Sequence, residues 1–205
     1  MTQLLVLAKV PISGRVKTRL CPPCTPDQAA AIAEAALADT LDAVRAADVP
    51  RRVIAFDQQS TVDGFDVIQQ HGDGLAERIA HAFADTSAQS IEPIVQIGMD
   101  TPQVTASLLE DAVRLLTTAD AVLGSAEDGG WWALGLRNAA HAALLLPVPM
   151  STSDTGRLTL AALENAGLTV TQLPMLRDVD TMDDARAVAE ITPGSRFAAA
   201  VAEVG

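Results

Sequence analysis

Four cationic side chains crowd one short stretch of this chain. Lys9, Arg15, Lys17 and Arg19 fall within Ala8-Lys-Val-Pro-Ile-Ser-Gly14-Arg-Val-Lys-Thr-Arg-Leu20, and the first acidic residue of the chain is Asp27. Lys9 and Lys17 are its only lysines. Pro11, Ser13 and Gly14 break regular structure there. Ammonium and guanidinium groups, with the amides of a glycine-containing turn, can then surround a polyphosphate. A solvated basic loop is the plainer reading of any such segment. Its concentration in an otherwise acidic chain favours anion binding. The spacing matches neither Gly-x4-Gly-Lys-[Ser/Thr] nor Gly-x-Gly-x-x-Gly, so this is a phosphate loop of another kind.

Carboxylates supply the complementary chemistry. Asp100 lies in Gly98-Met-Asp-Thr-Pro102, a constrained turn after an apolar run. Asp178 and Asp180 are two apart, so in extended backbone they share a face while Val179 points the other way. A hard divalent cation that already holds phosphate oxygens takes one or two protein carboxylates and several waters. Asp100 with Asp180 meets that demand, although each aspartate alone is more often a cap or a turn residue. Glu127-Asp-Gly-Gly130 is a further acidic turn.

These residues need a scaffold, and the hydrophobic pattern supplies one. Gln3 to Ala8 is a short apolar run bounded by turn residues, which predicts a strand buried on both faces. Further strands are expected at Arg52–Phe56, Phe65–Ile68, Pro93–Ile97, Ala121–Gly124 and Leu168–Leu173. Helices are expected over Pro26–Ala47 with Thr25 or Asp27 as cap, from Gly72–Arg78 to about Ala84, and over Thr105–Leu116. Short helices are expected over Asn138–Leu146 and Leu158–Asn165, and another from Thr181 to Ile191 after a capping-box-like start. The glycines at 72 and 74 either shape a turn or admit a ligand. Alternating strands and helices indicate an α/β layered fold with a mostly parallel sheet. In such sheets ligands bind beyond the carboxyl ends of the strands, where the basic loop, Asp100 and the Asp-Gly-Gly turn all fall.

Composition bounds the function. With 205 residues, 49% of them hydrophobic, one domain over 1–205 is expected, with 193–205 as a terminal helix or tail. A net charge of −12 argues against non-specific nucleic-acid or anionic-membrane partners. No apolar stretch reaches the roughly 18–20 residues of a membrane span, and the N-terminus lacks a charged segment with a cleavage site, so a cytoplasmic protein is expected. The two cysteines form Cys21-Pro-Pro-Cys24. Without a second pair or nearby histidines this is a poor zinc site, and a facultative disulfide or an incidental pair is expected.

Taken together, Ala8-Lys-x-Pro-x-x-Gly-x-Val-Lys-Thr-Arg-Leu20, Gly98-x-Asp-x-Pro102, Glu127-Asp-Gly-Gly130 and Asp178-Val-Asp-Thr181 resemble small bacterial GT-A-like proteins described as glycosyltransferases of the arsenosugar-biosynthesis type. More distantly the chain is similar to 2-phospholactate and molybdenum-cofactor guanylyltransferases. The resemblance spans about residues 3 to 190. It implies a nucleotide-diphospho-sugar transferase (GT-A-like, Rossmann-like) fold whose first loop grips nucleotide phosphates and whose aspartates carry Mg²⁺ or Mn²⁺. By carry-over, Ala8, Lys9, Gly14, Arg15, Lys17 and Arg19 match the phosphate loop, Asp100 the metal aspartate and Asp180 a second carboxylate. Asp128, Gly129 and Gly130 match an acceptor-side turn, Ser151 and Thr152 a polar loop near it, and Asp128 is free to orient or deprotonate an acceptor hydroxyl. The resemblance thus implies transfer from a nucleotide-sugar, or from a nucleoside triphosphate with release of pyrophosphate, to a small-molecule acceptor. A non-catalytic nucleotide-binding module is the other reading. The family usually carries a tyrosine after the Asp-Gly-Gly turn, where this chain has Trp131-Trp132 and no tyrosine anywhere.

Overall fold

The computed structural model describes residues 1–204. Its centre is β1 (Gln3–Ala8), buried along nearly its whole length. The other strands are β2 (Arg51–Phe56), β3 (Asp66–Gln69), β4 (Ile94–Ile97), β5 (Ala121–Ala126), β6 (Trp131–Leu136) and β7 (Val170–Leu176). They form one sheet in the order β3-β2-β1-β4-β6-β5-β7. Pairs β1–β2, β1–β4, β2–β3 and β5–β7 are parallel, while β6 runs antiparallel to both β4 and β5. The α/β architecture with a mostly parallel sheet is therefore the one the alternating pattern predicted.

Alternate residues of β1 feed two cores. Leu4 and Val6 pack with Leu37 and Leu41 of α1 (Pro26–Ala46) and Leu109 of α3 (Ala106–Leu115). Leu5 faces the opposite side, among Ile79 and Phe83 of α2 (Leu75–Gln89), Leu145 of a 3₁₀ helix (Ala139–Leu145) and Leu163 of α4 (Thr155–Asn165). That two-sided burial is what a period-two strand with no polar face requires. A third cluster joins Leu20 and Ile32 to Val179, to Val188 of α5 (Met182–Ile191) and to Phe197 of α6 (Arg196–Ala202). Of the tail expected over 193–205, residue 205 lies outside the described residues.

Local chemistry sets most boundaries. Thr25 caps α1 in a capping box with Gln28, with Pro26 in the first turn, and Thr181 caps α5 in a box with Asp184. α2 and β7 run furthest past their expected ends. α2 continues beyond Ala84 to Gln89 because Thr86, though polar, is fully buried. β7 continues through Pro174 to Leu176, which is tolerated because β7 is an edge strand with no partner on its outer side. Gly124 of β5 is dictated by packing, since a Cβ there would lie 2.5 Å from the Trp132 indole.

Cys21 and Cys24 are both free thiols, and Cys24 is buried in the third cluster with Sγ 3.4 Å from Met182 Sδ. Burial raises its pKa above the ordinary thiol value, with Cys21 adding to the effect. Among the described residues no helix is long and apolar enough to cross a membrane.

Candidate functional site

The carboxyl ends of β1, β4, β5 and β7 open on one edge of the sheet. Because β6 is antiparallel, its amino end and the preceding turn lie at that edge too. An open cleft of about 860 Å³ runs along it. Ala8, Lys9, Arg15, Lys17, Arg19, Asp100, Asp128, Gly130, Ser151, Thr152 and Asp180 all line this cleft. Gly14 and Gly129 do not line it and contribute backbone shape instead, with φ of +74° and +90° respectively.

The loop after β1 is anchored at its base. Val10 N–H donates to Asp57 Oδ1 at 2.8 Å, and Gln70 Nε2 donates to the carbonyls of Ala8 and Ala55, each at 2.8 Å, bracing β1 against β2. Lys9 and Arg15 are exposed and form no ion pair among the described residues. Lys17 and Arg19 are arranged differently. The Lys17 ammonium contacts Asp100 Oδ1, donates to the Val179 carbonyl and lies 3.8 Å from Asp180 Oδ1. Its side chain is only 8% exposed. Arg19 donates to Asp180 Oδ2 at 3.0 Å. Half of the loop's cations thus face carboxylates and half face solvent and cleft.

Asp100 and Asp180 meet because Val179 N–H donates to the Asp100 carbonyl at 2.8 Å, and Val179 is fully buried in the third cluster. The expectation that Val179 points inward while its neighbours share a face is realised. Asp178 lines the same cleft, and its Oδ1 is buried without a hydrogen-bond partner. Burial first, then the charges of Asp100 and Asp128, push its pKa up to about 7.

The acidic turn is built by its glycines. Asp128 Oδ1 accepts from Gly130 N–H at 2.8 Å, which leaves the carboxylate's other oxygen free. A Cβ on Gly129 would lie 2.0 Å from the Ser153 carbonyl oxygen, so only glycine lets the Ser151–Thr155 loop dock there. Gly156 N–H donates to the Gly129 carbonyl at 2.8 Å and completes the dock. Within the loop, Thr155 Oγ1 bonds to the Pro149 carbonyl and to Thr152.

Several residues that line or brace the cleft escaped the sequence reading. Asp57 and Gln70 carry no local signature. Gln96 did leave one: it interrupts the apolar run of β4, is 2% exposed and lines the cleft. Asp178 was visible as Asp180's face-mate but not as a buried, perturbed carboxylate.

The oxygens of Asp100, Asp180 and Val179 converge on one cationic nitrogen. A hard cation would find the same partial oxygen set there, with phosphate and water completing its shell. Among the described residues no group of three or more His, Cys, Asp and Glu side chains is arranged to hold a metal by itself.

Comparison with known proteins places this architecture. The chain is similar to a candidate nucleotide-diphospho-sugar transferase from Desulfovibrio desulfuricans G20, at 25% identity and a TM-score of 0.89 over 98% of this chain and 94% of that one. It is similar in fold to Rv0371C of Mycobacterium tuberculosis H37Rv in complex with manganese, at 21% identity and a TM-score of 0.58 over 92% and 98%. A cytidylyltransferase from Leptospira borgpetersenii shares the fold at 13% identity and a TM-score of 0.59 over 99% and 93%. The fold is thus that of the GT-A-like nucleotide-diphospho-sugar transferase and nucleotidyltransferase superfamily. No curated protein matches the chain. The model of the family described as "Uncharacterized protein conserved in bacteria (DUF2064)" matches residues 28–152, a stretch that holds Asp100, Asp128, Ser151 and Thr152 but not the basic loop or Asp180. That stretch is more than half of the chain, and the chain belongs to this family.

Proposed function

We propose that this protein is a metal-dependent transferase that uses a nucleotide-activated donor, most specifically a glycosyltransferase of the arsenosugar-biosynthesis type acting on a small-molecule acceptor. The observation that carries the reading is one cleft in which a basic loop faces Asp100 and Asp180 while Asp128 stands on a separate turn. Lys9 and Arg15, without carboxylate partners, bind the donor's phosphates. In the cation-free protein Lys17 and Arg19 hold Asp100 and Asp180 in place, and they lie within the same loop as those phosphate ligands. Mg²⁺ or Mn²⁺, bound by Asp100, Asp180 and phosphate oxygens, would supply Lewis-acid stabilisation of the departing diphosphate.

In this reading the acceptor hydroxyl attacks the anomeric carbon of the donor sugar. The bond from that carbon to the diphosphate oxygen breaks, and a nucleoside diphosphate leaves. Asp128 takes the hydroxyl proton through its free oxygen. Gly129 and Gly130 let the acceptor approach closely, and Ser151 and Thr152 border it. Gln96 and Trp131 line the inner wall.

A nucleotidyltransferase reading is favoured if Lys17 and Arg19 turn from their carboxylates to join Lys9 and Arg15 on the nucleotide, because four cations in eleven residues exceed what a diphosphate needs. There the acceptor attacks the α-phosphorus of a nucleoside triphosphate, and pyrophosphate leaves. A thermal-shift screen of nucleotides and nucleotide-sugars, with and without Mg²⁺ or Mn²⁺, tests both readings. Product analysis then separates nucleoside diphosphate from pyrophosphate. Absence of any metal-dependent nucleotide binding would leave neither standing and would favour a non-catalytic module.

A further inference from the structure

We infer that Lys17 is a built-in occupant of the divalent-cation site, a competitor of the cation that polyphosphate draws away. This rests on the reading of Asp100 and Asp180 as cation ligands. The Lys17 ammonium engages Asp100 Oδ1 and the Val179 carbonyl and lies 3.8 Å from Asp180 Oδ1. Arg19 holds the other oxygen of Asp180. Two positive centres cannot share those oxygens at contact distance without strong repulsion. Lys17 and a dication are therefore mutually exclusive.

The backbone supports a functional reading of this placement. Lys17 and Ser151 are the only non-glycine residues with positive φ among the described residues, and both line the cleft. At φ 48° and ψ 37° Lys17 sits in the left-handed region, which costs free energy and persists where the surroundings impose it. Lys17 follows Gly14-Arg15-Val16, so phosphate oxygens bound by Lys9 and Arg15 offer its ammonium a second anionic partner nearby. Exchange of Lys17 from carboxylate to phosphate keeps every charge paired while it frees the oxygens of Asp100. Nucleotide and cation then bind with positive coupling, and the cation alone binds poorly. By linkage the coupling is reciprocal.

Two measurements test this. In the first, Mn²⁺ alone is titrated calorimetrically into the wild type, Lys17→Met, and Lys17→Met combined with Asp100→Asn. Lys17→Met should bind Mn²⁺ about ten-fold tighter than wild type, within the usual range of coupling factors, and the double variant should lose that gain. Equal or weaker Mn²⁺ binding by folded Lys17→Met overturns the inference. The second measurement needs no variant. Since Lys9 and Lys17 are the only lysines, acylation followed by peptide mass analysis reads each separately. Saturating Mn²⁺ without nucleotide should raise acylation of Lys17 relative to Lys9, and an unchanged ratio overturns the inference. The outcome separates the two readings. Wild type that shows Mn²⁺-dependent nucleotide binding while Lys17→Met gains nothing keeps the proposed function and sinks the exchange. A gain in Mn²⁺ affinity with no nucleotide binding in any variant does the reverse.

Discussion

The backbone N–H of Val179 donates to the carbonyl oxygen of Asp100 across 2.8 Å, and this bond fastens the segment after β7 to the turn after β4. Two aspartates about eighty positions apart in the chain thereby share one patch of cleft wall. The division of labour proposed for the site depends on that link.

Asp100→Asn keeps the side chain's size and removes its charge. Lys17 retains the Val179 carbonyl and Asp180, so the variant should fold with a stability loss of only about 1 kcal/mol. Turnover should fall at least about 100-fold. Nucleotide affinity measured against Mn²⁺ concentration should lose its metal dependence.

Asp128→Asn should behave differently, because its carboxylate is tied to its own turn through Gly130. Turnover should fall while metal-dependent nucleotide binding persists. Loss of metal dependence in both variants would show that the roles of the two aspartates are wrongly divided.

Lys9→Ala and Arg15→Ala remove cations that have no carboxylate partner. Each should weaken nucleotide binding by roughly 1.5–3 kcal/mol if it bonds to phosphate, with the thermal midpoint of the free protein unchanged. Calorimetry that found unchanged affinity in both would make these groups plain solvated surface.

Gly129→Ala places a methyl group 2.0 Å from the Ser153 carbonyl oxygen, at a φ of +90°. The Ser151–Thr155 loop must move or the turn must open. A destabilisation of about 3 kcal/mol is expected, lowering Tm by roughly 6–12 °C for a chain of this size. An unchanged Tm would mean that the loop is not docked on the turn.

The Asp178 carboxyl has a folded-state pKa raised from the ordinary 3.8 to about 7. Between those values the folded protein holds a proton that the unfolded chain releases, so stability falls as pH rises. The metal-free wild type should therefore be most favoured, as far as this group is concerned, below pH 4 and lose that contribution through about pH 7. Asp178→Asn cannot ionise. Its stability relative to wild type should improve from pH 4 to pH 8, as read by denaturant unfolding at each pH. A constant difference would contradict the burial of this carboxyl.

Much of this site was legible in the chain because its parts are local. A strand that ends in Pro11, Ser13 and Gly14, an aspartate between Gly98 and Pro102, and an Asp-x-Asp with an inward valine each announce their own geometry. What was hidden depends on partners far away in sequence. Four cations in one loop look equivalent, and only the distant segment at 178–180 divides Lys17 and Arg19 from Lys9 and Arg15. The continuation of α2 past Ala84 and of β7 through Pro174 followed from burial of Thr86 and from the edge position of β7, neither of which periodicity can show.

The C-terminal helix bears on the cleft without touching it. Arg196 of α6 bonds Asp39 and Asp42 of α1, the Asp42 carboxyl being held below its ordinary pKa first by that hydrogen bond, and Phe197 packs in the same cluster as Val179. Val179 is in turn the hinge pin between Asp178 and Asp180. The last turns of the chain therefore serve as ballast for the carboxylates, and trimming them would blur the aim of Asp180 while every residue of the cleft remained in the sequence.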